Sequence, residues 1–217
     1  MEKNKQKLRK WYNETAQKYD SWGKREGEYC VSDVSEEVYQ FSKILDRVQI
    51  GKKDKILDVA VGTGIYLLET MKRGGEGFGI DISENMLAVL NQKNLGSSGE
   101  NKVRGVCLAD AAALPFHAGV FDLILCIGLF DCYDFNMIKI FLDEIKRVAR
   151  TKCMFIVDFP DNNKKETLVF RDKERSVGHE VYLHASEEIE SFLHQQGFGI
   201  MIKKEAGIEI QYLLVKK

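Results

Sequence analysis

The sequence predicts an α/β fold: a doubly wound, mainly parallel seven-stranded sheet that ends in an antiparallel hairpin. Three observations carry this. From Lys55 onward, short apolar runs alternate with amphipathic helical segments, the pattern of βαβ units with right-handed crossovers. A glycine-rich turn follows the first of those runs, where such sheets bind ligands. The last two strands are separated by only a few residues, and a connection that short joins antiparallel neighbours.

Taken in order, the first twenty residues set Leu8, Trp11, Tyr12, Thr15 and Tyr19 at three- and four-residue steps, an amphipathic helix with a basic outer face. A second helix carries Val34, Val38, Phe41, Leu45 and Val48 on one stripe, with Ser32 or Asp33 as its cap and Gly51 past its end. Ile56–Ala60 reads as a buried strand, followed by the glycine-rich turn and a helix over Ile65–Arg73 that Gly74-Gly75 stops. Gly77–Ile80 is the second strand, and Ser83 caps a helix over Glu84–Asn94. Val103–Leu108 and Phe121–Ile127 are the third and fourth strands. An amphipathic helix bearing Ile138, Phe141, Leu142, Ile145 and Val148 leads to the fifth, Met154–Val157. A helix with Ile189, Phe192 and Leu193 stops at Gly197, and Phe198–Lys203 and Ile208–Val215 form the hairpin. No repeat, low-complexity tract or Pro-rich linker divides the chain, so residues 1–217 are read as one domain, with a helical region over 1–50 and a sheet core over 51–217.

Composition narrows the function. With 32 Lys plus Arg against 33 Asp plus Glu, the net charge is −1, which offers no general polyanion-binding surface, and nucleic acid is disfavoured as a partner. The longest apolar run, Leu123 to Phe130, is far too short to span a bilayer. No hydrophobic stretch follows the charged N-terminus, so no secretory signal is read. Five cysteines without a CxxC and four histidines without an HxxxH argue against a disulfide framework or a metal site, and a cytoplasmic location is expected. The sequence carries no signal for an oligomeric state.

The glycine-rich turn discriminates between cofactors. A dinucleotide fingerprint wants glycines at relative positions one, three and six, and counting from Ala60 only Gly62 fits, with Ile65 at the sixth. The phosphate-binding GxxxxGK[ST] is absent. Positions one, three and five give Ala60, Gly62 and Gly64, with Asp58 two residues earlier. Asp81 closes the second strand, where a carboxylate accepts from ribose hydroxyls, and Met86 follows at a distance suited to apolar contact with a base. Ala109-Asp110-Ala111 follows the third strand, and Cys126 closes the fourth.

Together these motifs resemble the class I S-adenosylmethionine-dependent methyltransferases, in the small-molecule branch of the ubiquinone/menaquinone type. Trp11-Tyr12 through Tyr19-Asp20 is similar to that branch's helical lid. The resemblance implies a Rossmann-like fold with S-adenosyl-L-methionine as cofactor. It implies a cofactor site of Tyr12, Tyr19, Asp58, Ala60, Gly62, Thr63, Gly64, Asp81, Ile82, Met86, Asp110, Ala111 and Cys126, with Asp110 receiving the adenine amino group. Ala60 stands where the family has its first motif glycine, a replacement expected to be tolerated if the backbone there need not have positive φ.

Methyl transfer is an in-line displacement that needs alignment, with a base where the acceptor must lose a proton. Asp131 is the first candidate for that base, the alternative being a cap on the following helix. His179 and His184 are the others, against a solvated surface role for each. Arg171 or Arg175 is weighed for an anionic acceptor against a solvated charge run. The expected function is methyl transfer to a small molecule. The alternatives are an RNA or protein methyltransferase and a non-catalytic scaffold of the same fold.

Overall fold

The computed structural model describes residues 2–21, 34–95, 103–176 and 178–217. Helix α1 (Glu2–Thr15) runs into a 3-10 turn (Ala16–Ser21) and is followed by α2 (Val34–Leu45). The alternating core comprises β1 (Lys55–Val59), α3 (Ile65–Met71), β2 (Glu76–Asp81), α4 (Glu84–Leu95), β3 (Val103–Leu108) and β4 (Phe121–Cys126). A 3-10 turn (Phe130–Cys132) then leads to α5 (Phe135–Val148) and β5 (Ala149–Pro160). The chain closes with α6 (Lys165–Ser176), α7 (Ser186–Gln195), β6 (Phe198–Ala206) and β7 (Glu209–Lys216).

The seven strands lie in the order β3-β2-β1-β4-β5-β7-β6. β1 through β5 are parallel, and β7 runs antiparallel to both β5 and β6. The predicted sheet and its terminal hairpin are therefore present, turned at Gly207 with φ 62°. Strand order reverses between β1 and β4, which opens a crevice beyond their carboxyl ends.

The strands read as unbroken apolar runs because both faces are covered. On one face Leu57, Val59, Ile124 and Phe155 pack under Leu8 of α1, Phe141 and Ile145 of α5, and Ile189 and Leu193 of α7. On the other, Ile56, Leu123, Leu125 and Ile156 pack under Phe41 and Ile44 of α2, Leu67 and Met71 of α3, and Leu90 of α4. Burying one such Leu or Ile contributes about 1.5–3 kcal/mol, so the single buried Leu8 already gives α1 a firm seat.

Three elements depart from the sequence expectation. The first helix gives way to 3-10 geometry at Ala16. β5 spans twelve residues instead of four, because its first half carries the consecutive exposed residues Arg150, Thr151 and Lys152 and lacks an apolar run. α6 was not expected at all: among its side chains only Thr167 and Glu174 are buried, so no apolar stripe marks it. The caps expected at Ser32 or Asp33 lie outside the described residues.

Candidate active site

At the end of β1 three left-handed residues in five positions, Ala60 (φ 62°), Gly62 (φ 53°) and Gly64 (φ 84°), swing the chain outward and back so that α3 starts at Ile65. Ala60 thus does have positive φ, and the condition under which alanine would sit there without strain is not met. The loop is fixed to β2 by Val61 N–H donating to the Ile80 carbonyl at 2.8 Å. Val61 also packs so tightly on Gly79 that a Cβ there would come within 2.8 Å of it. At Gly64 a Cβ would meet Leu90 at 2.3 Å, whereas at Gly62 it would meet nothing within 4 Å.

Asp81 ties the two turns together. One carboxylate oxygen accepts Gly62 N–H at 2.9 Å and the other accepts Ser83 N–H at 2.8 Å. Burial raises its pKa above the ordinary carboxylate range, against the pull of these backbone donors. Asp58, buried under the first turn of α3, is pushed up to about 8, by desolvation first and then by the charge of Asp81. Ser83 accepts Met86 N–H at 3.1 Å, which places Met86 on the first turn of α4 as expected.

Ala60, Gly62, Asp81, Ile82 and Met86 form one wall of a cleft. Leu8, Tyr12 and Tyr19 roof it, and Ile127, Gly128, Leu129, Cys132 and Tyr133 close the far side. A second hollow adjoins it at Ile82, walled by Lys5, Gln6 and Arg9 and by Leu108, Ala109 and Asp110.

The roof is tied to the cofactor turns one by one. Lys5 pairs with Asp110, and Asn13 accepts from the Ser83 hydroxyl at 2.7 Å. The Thr63 hydroxyl donates to Asp20 at 2.5 Å, and Lys93 pairs with the same Asp20. Thr63 and Ala111 are buried outside the cleft lining, and Cys126 is fully buried in the core beneath it.

An S-adenosyl nucleoside fits this lining. Gly62 leaves open space where a Cβ would stand, and so does Gly128 on the opposite wall. Asp81 presents a carboxylate between apolar surfaces.

Comparison with known proteins agrees. Residues 56–152 match the methyltransferase domain family. Demethylmenaquinone methyltransferase of Staphylococcus carnosus is 35% identical over 112 residues, covering 50% of this chain and 44% of that protein. The Staphylococcus aureus enzyme of the same name is 29% identical over 157 residues, covering 70% and 60%. The chain thus spans about half the length of these curated relatives. The crystal structure of magnesium protoporphyrin IX methyltransferase from Synechocystis, with S-adenosylhomocysteine bound, superposes with a TM-score of 0.74 at 19% identity over 97% of this chain and 98% of that one. The expected class I methyltransferase fold is therefore present across the described chain.

On the far side of the cleft, the loop after β4 folds into the 3-10 turn that holds Asp131. Asp131 does not cap α5; Asp134 does, accepting Met137 N–H at 3.0 Å. One carboxylate oxygen of Asp131 is buried without a hydrogen-bond partner. Burial, then the charge of Glu174, pushes its pKa up to about 7. Tyr12 and Tyr19 are raised as well, chiefly by burial.

Neither histidine is a solvated surface group. His179 is buried, with Nδ1 2.8 Å from Glu174 and its ring edge-on to Trp11 at 4.8 Å. His184 stacks on Phe135 at 3.8 Å, and burial lowers its pKa. Neither is part of the cleft lining. Arg171 and Arg175 pair with Asp172 and Glu180 in a solvated charge run. Among the described residues no group of three His, Cys, Asp or Glu side chains is arranged to hold a metal ion, and no helix is long and apolar enough to cross a membrane.

Glu174 and the cleft residues Leu8, Ile127 and Gly128 were not among the sequence-derived site residues, whereas Leu129, Cys132 and Tyr133 lie in the loop after the fourth strand that was expected on the acceptor side. The signals that could have found most of them are position ones: Leu8 lies one helical turn before Tyr12, and the others follow the carboxyl end of β4. Glu174 had none, lying on a helix without an apolar stripe.

Proposed function

We propose that the chain transfers the methyl group of S-adenosylmethionine to a small-molecule acceptor, as a single domain. One observation carries the reading: a small, roofed cleft at the strand-order reversal, with Asp81 on one wall and open glycine positions on two. When bound, the cofactor supplies an electrophilic methyl group on a sulfonium.

The chain's own residues do the rest. Asp81 receives the ribose hydroxyls, and Asp110, at the neighbouring hollow, receives the base amino group. Met86, Leu8 and Ile82 supply apolar surface around the nucleoside. Tyr12 and Tyr19 exclude water from above, and Asp131 takes a proton from the acceptor where one must leave. A small acceptor accords with a roof tied at three points, which leaves little room for a macromolecular chain. The names of the similar proteins, whose methyl acceptors are demethylmenaquinone and magnesium protoporphyrin IX, point the same way.

Thermal unfolding with S-adenosylmethionine, S-adenosylhomocysteine and NAD added separately tests this. A ligand at a hundred times its dissociation constant adds about 2.7 kcal/mol, a rise of roughly 5–10 °C for a chain this size. The rise is expected with both sulfur ligands, not with NAD, and is lost in Asp81→Asn. No rise with either sulfur ligand would leave a scaffold of this fold as the better reading.

A further inference from the structure

At the end of α6 two backbone hydrogen bonds stop the helix. Gly178, at φ 88°, donates its N–H to the Arg175 carbonyl at 3.0 Å, and His179 N–H donates to the Glu174 carbonyl at 2.9 Å. In this glycine-terminated motif the side chain just past the helix lies on the one five residues back, ordinarily as an apolar contact. Here the contact is polar. His179 Nδ1 lies 2.8 Å from the Glu174 carboxylate, and both side chains are less than a tenth exposed.

Stability does not account for that choice. Replacing a buried acid–base pair by apolar side chains of similar volume is often neutral or stabilising, because desolvation offsets the attraction. What the pair does provide is a ring held in one orientation, with Glu174 on Nδ1 and the helix stop fixing the backbone. The segment is also anchored three residues on, where Tyr182 N–H donates to the Asp131 carbonyl at 2.8 Å.

That ring meets the roof of the cleft. Trp11 of α1 packs edge-on to His179, with ring centroids 4.8 Å apart and planes at 84°. Trp11 in turn packs edge-on to Tyr12 at 5.0 Å, and Tyr12 lines the cleft. Lys5 and Asn13 tie α1 on the side of β2 and β3, so the His179 contact holds the same helix from the side of β5 and α6.

We propose that His179 is a positioning residue of the methyl-transfer site: Glu174 fixes its ring, the ring fixes Trp11, and Trp11 holds Tyr12 over the cofactor cleft. The proposal rests on the methyltransferase reading and adds to its machinery a pair of side chains that lie outside the cleft.

The test is calorimetric binding of S-adenosylhomocysteine to the full chain, beside thermal unfolding. The pair variant, Glu174→Leu with His179→Leu, supplies the apolar contact that such a helix stop ordinarily uses, so its Tm should stay within about 4 °C. Its affinity for S-adenosylhomocysteine should still fall about tenfold, within the range of couplings between residues in contact. Trp11→Leu should lose as much, and adding it to the pair variant should weaken binding no further, because the two act on Tyr12 in series. Glu174→Gln still accepts from Nδ1–H and should retain most of the affinity. Unchanged affinity in the pair variant overturns the proposal, as do losses that add in the combined variant or a Glu174→Gln chain that binds as weakly as the pair variant. Should the pair variant not fold, His179→Asn decides: its amide still donates to Glu174 but carries no ring, and unchanged affinity there overturns the proposal. Failure of S-adenosylhomocysteine to bind the unaltered chain would instead sink the methyltransferase reading, and this proposal with it.

Discussion

Lys5 on α1 sets its ammonium 2.5 Å from the carboxylate of Asp110 on the turn after β3. The same acid accepts Ala112 N–H at 2.9 Å, so it is held from both sides at the rim of the second hollow. The N-terminal helix is therefore latched to the residue assigned to the adenine amino group. A partly exposed ion pair contributes about 1 kcal/mol or less, so removing Lys5 leaves the fold intact. Lys5→Ala is expected to lower Tm by no more than about 4 °C and to speed S-adenosylhomocysteine dissociation several-fold in stopped-flow measurements. Asp110→Ala should weaken its equilibrium binding about tenfold or more. An unchanged dissociation rate in Lys5→Ala would mean that α1 does not retain the cofactor.

Gly62 and Gly64 share a left-handed backbone yet differ in what surrounds them. A methyl at Gly64 meets Leu90 at 2.3 Å, so Gly64→Ala combines φ strain with overpacking and should cost about 2–4 kcal/mol in denaturant unfolding. Leu90→Ala in the same chain should recover part of the overpacking and none of the strain. At Gly62 the methyl would stand in the open cleft. Gly62→Ala is expected to cost only about 1–2 kcal/mol of stability while weakening S-adenosylhomocysteine far more than Gly64→Ala does. Comparable binding losses in the two would show that both act through the loop fold.

These contrasts mark what the sequence could carry. Periodicity and turn chemistry placed the seven strands, and the spacing of Ala60, Gly62 and Gly64 brought five predicted residues onto one cleft wall with Tyr12 and Tyr19 above. α6 escaped because its polar side chains follow no apolar stripe. Asp131 was legible through its place after β4. Asp158 and Gln211 stand opposite each other only through the β5–β7 register, a pairing between segments some fifty residues apart that no local pattern encodes. The burial of His179 depends likewise on a partner, Glu174, that the chain turns back to meet.

Ala60 is the loop's exception, a residue with a Cβ at φ 62°. The left-handed conformation costs a non-glycine residue about 1–2 kcal/mol. Glycine removes that strain but adds about 0.4–1 kcal/mol of unfolded-chain entropy. Ala60→Gly should therefore raise stability by up to about 1 kcal/mol in urea unfolding, without loss of S-adenosylhomocysteine binding. A clear destabilisation would mean that the Ala60 methyl packs in the cleft to an extent that outweighs its strain.

Asp58 makes stability depend on pH in a direction opposite to that of a salt-bridged carboxylate. Its folded pKa is raised to about 8, first by burial and then by the charge of Asp81, with Leu67 N–H as the opposing donor. The folded chain thus holds a proton that the unfolded chain releases at the ordinary carboxylate pKa. The stabilisation is fully present below that ordinary value and is lost as pH rises toward about 8. Within this window a single such group lowers stability by up to about 1.4 kcal/mol per pH unit. Asp58→Asn carries no titrating proton there, so its unfolding free energy between pH 6 and pH 8 should fall less steeply than that of the unaltered chain. Asp131 titrates in both proteins, so the difference between their slopes isolates Asp58. Parallel slopes would mean that Asp58 stays ionised under α3, stabilised by Leu67 N–H against both its burial and Asp81.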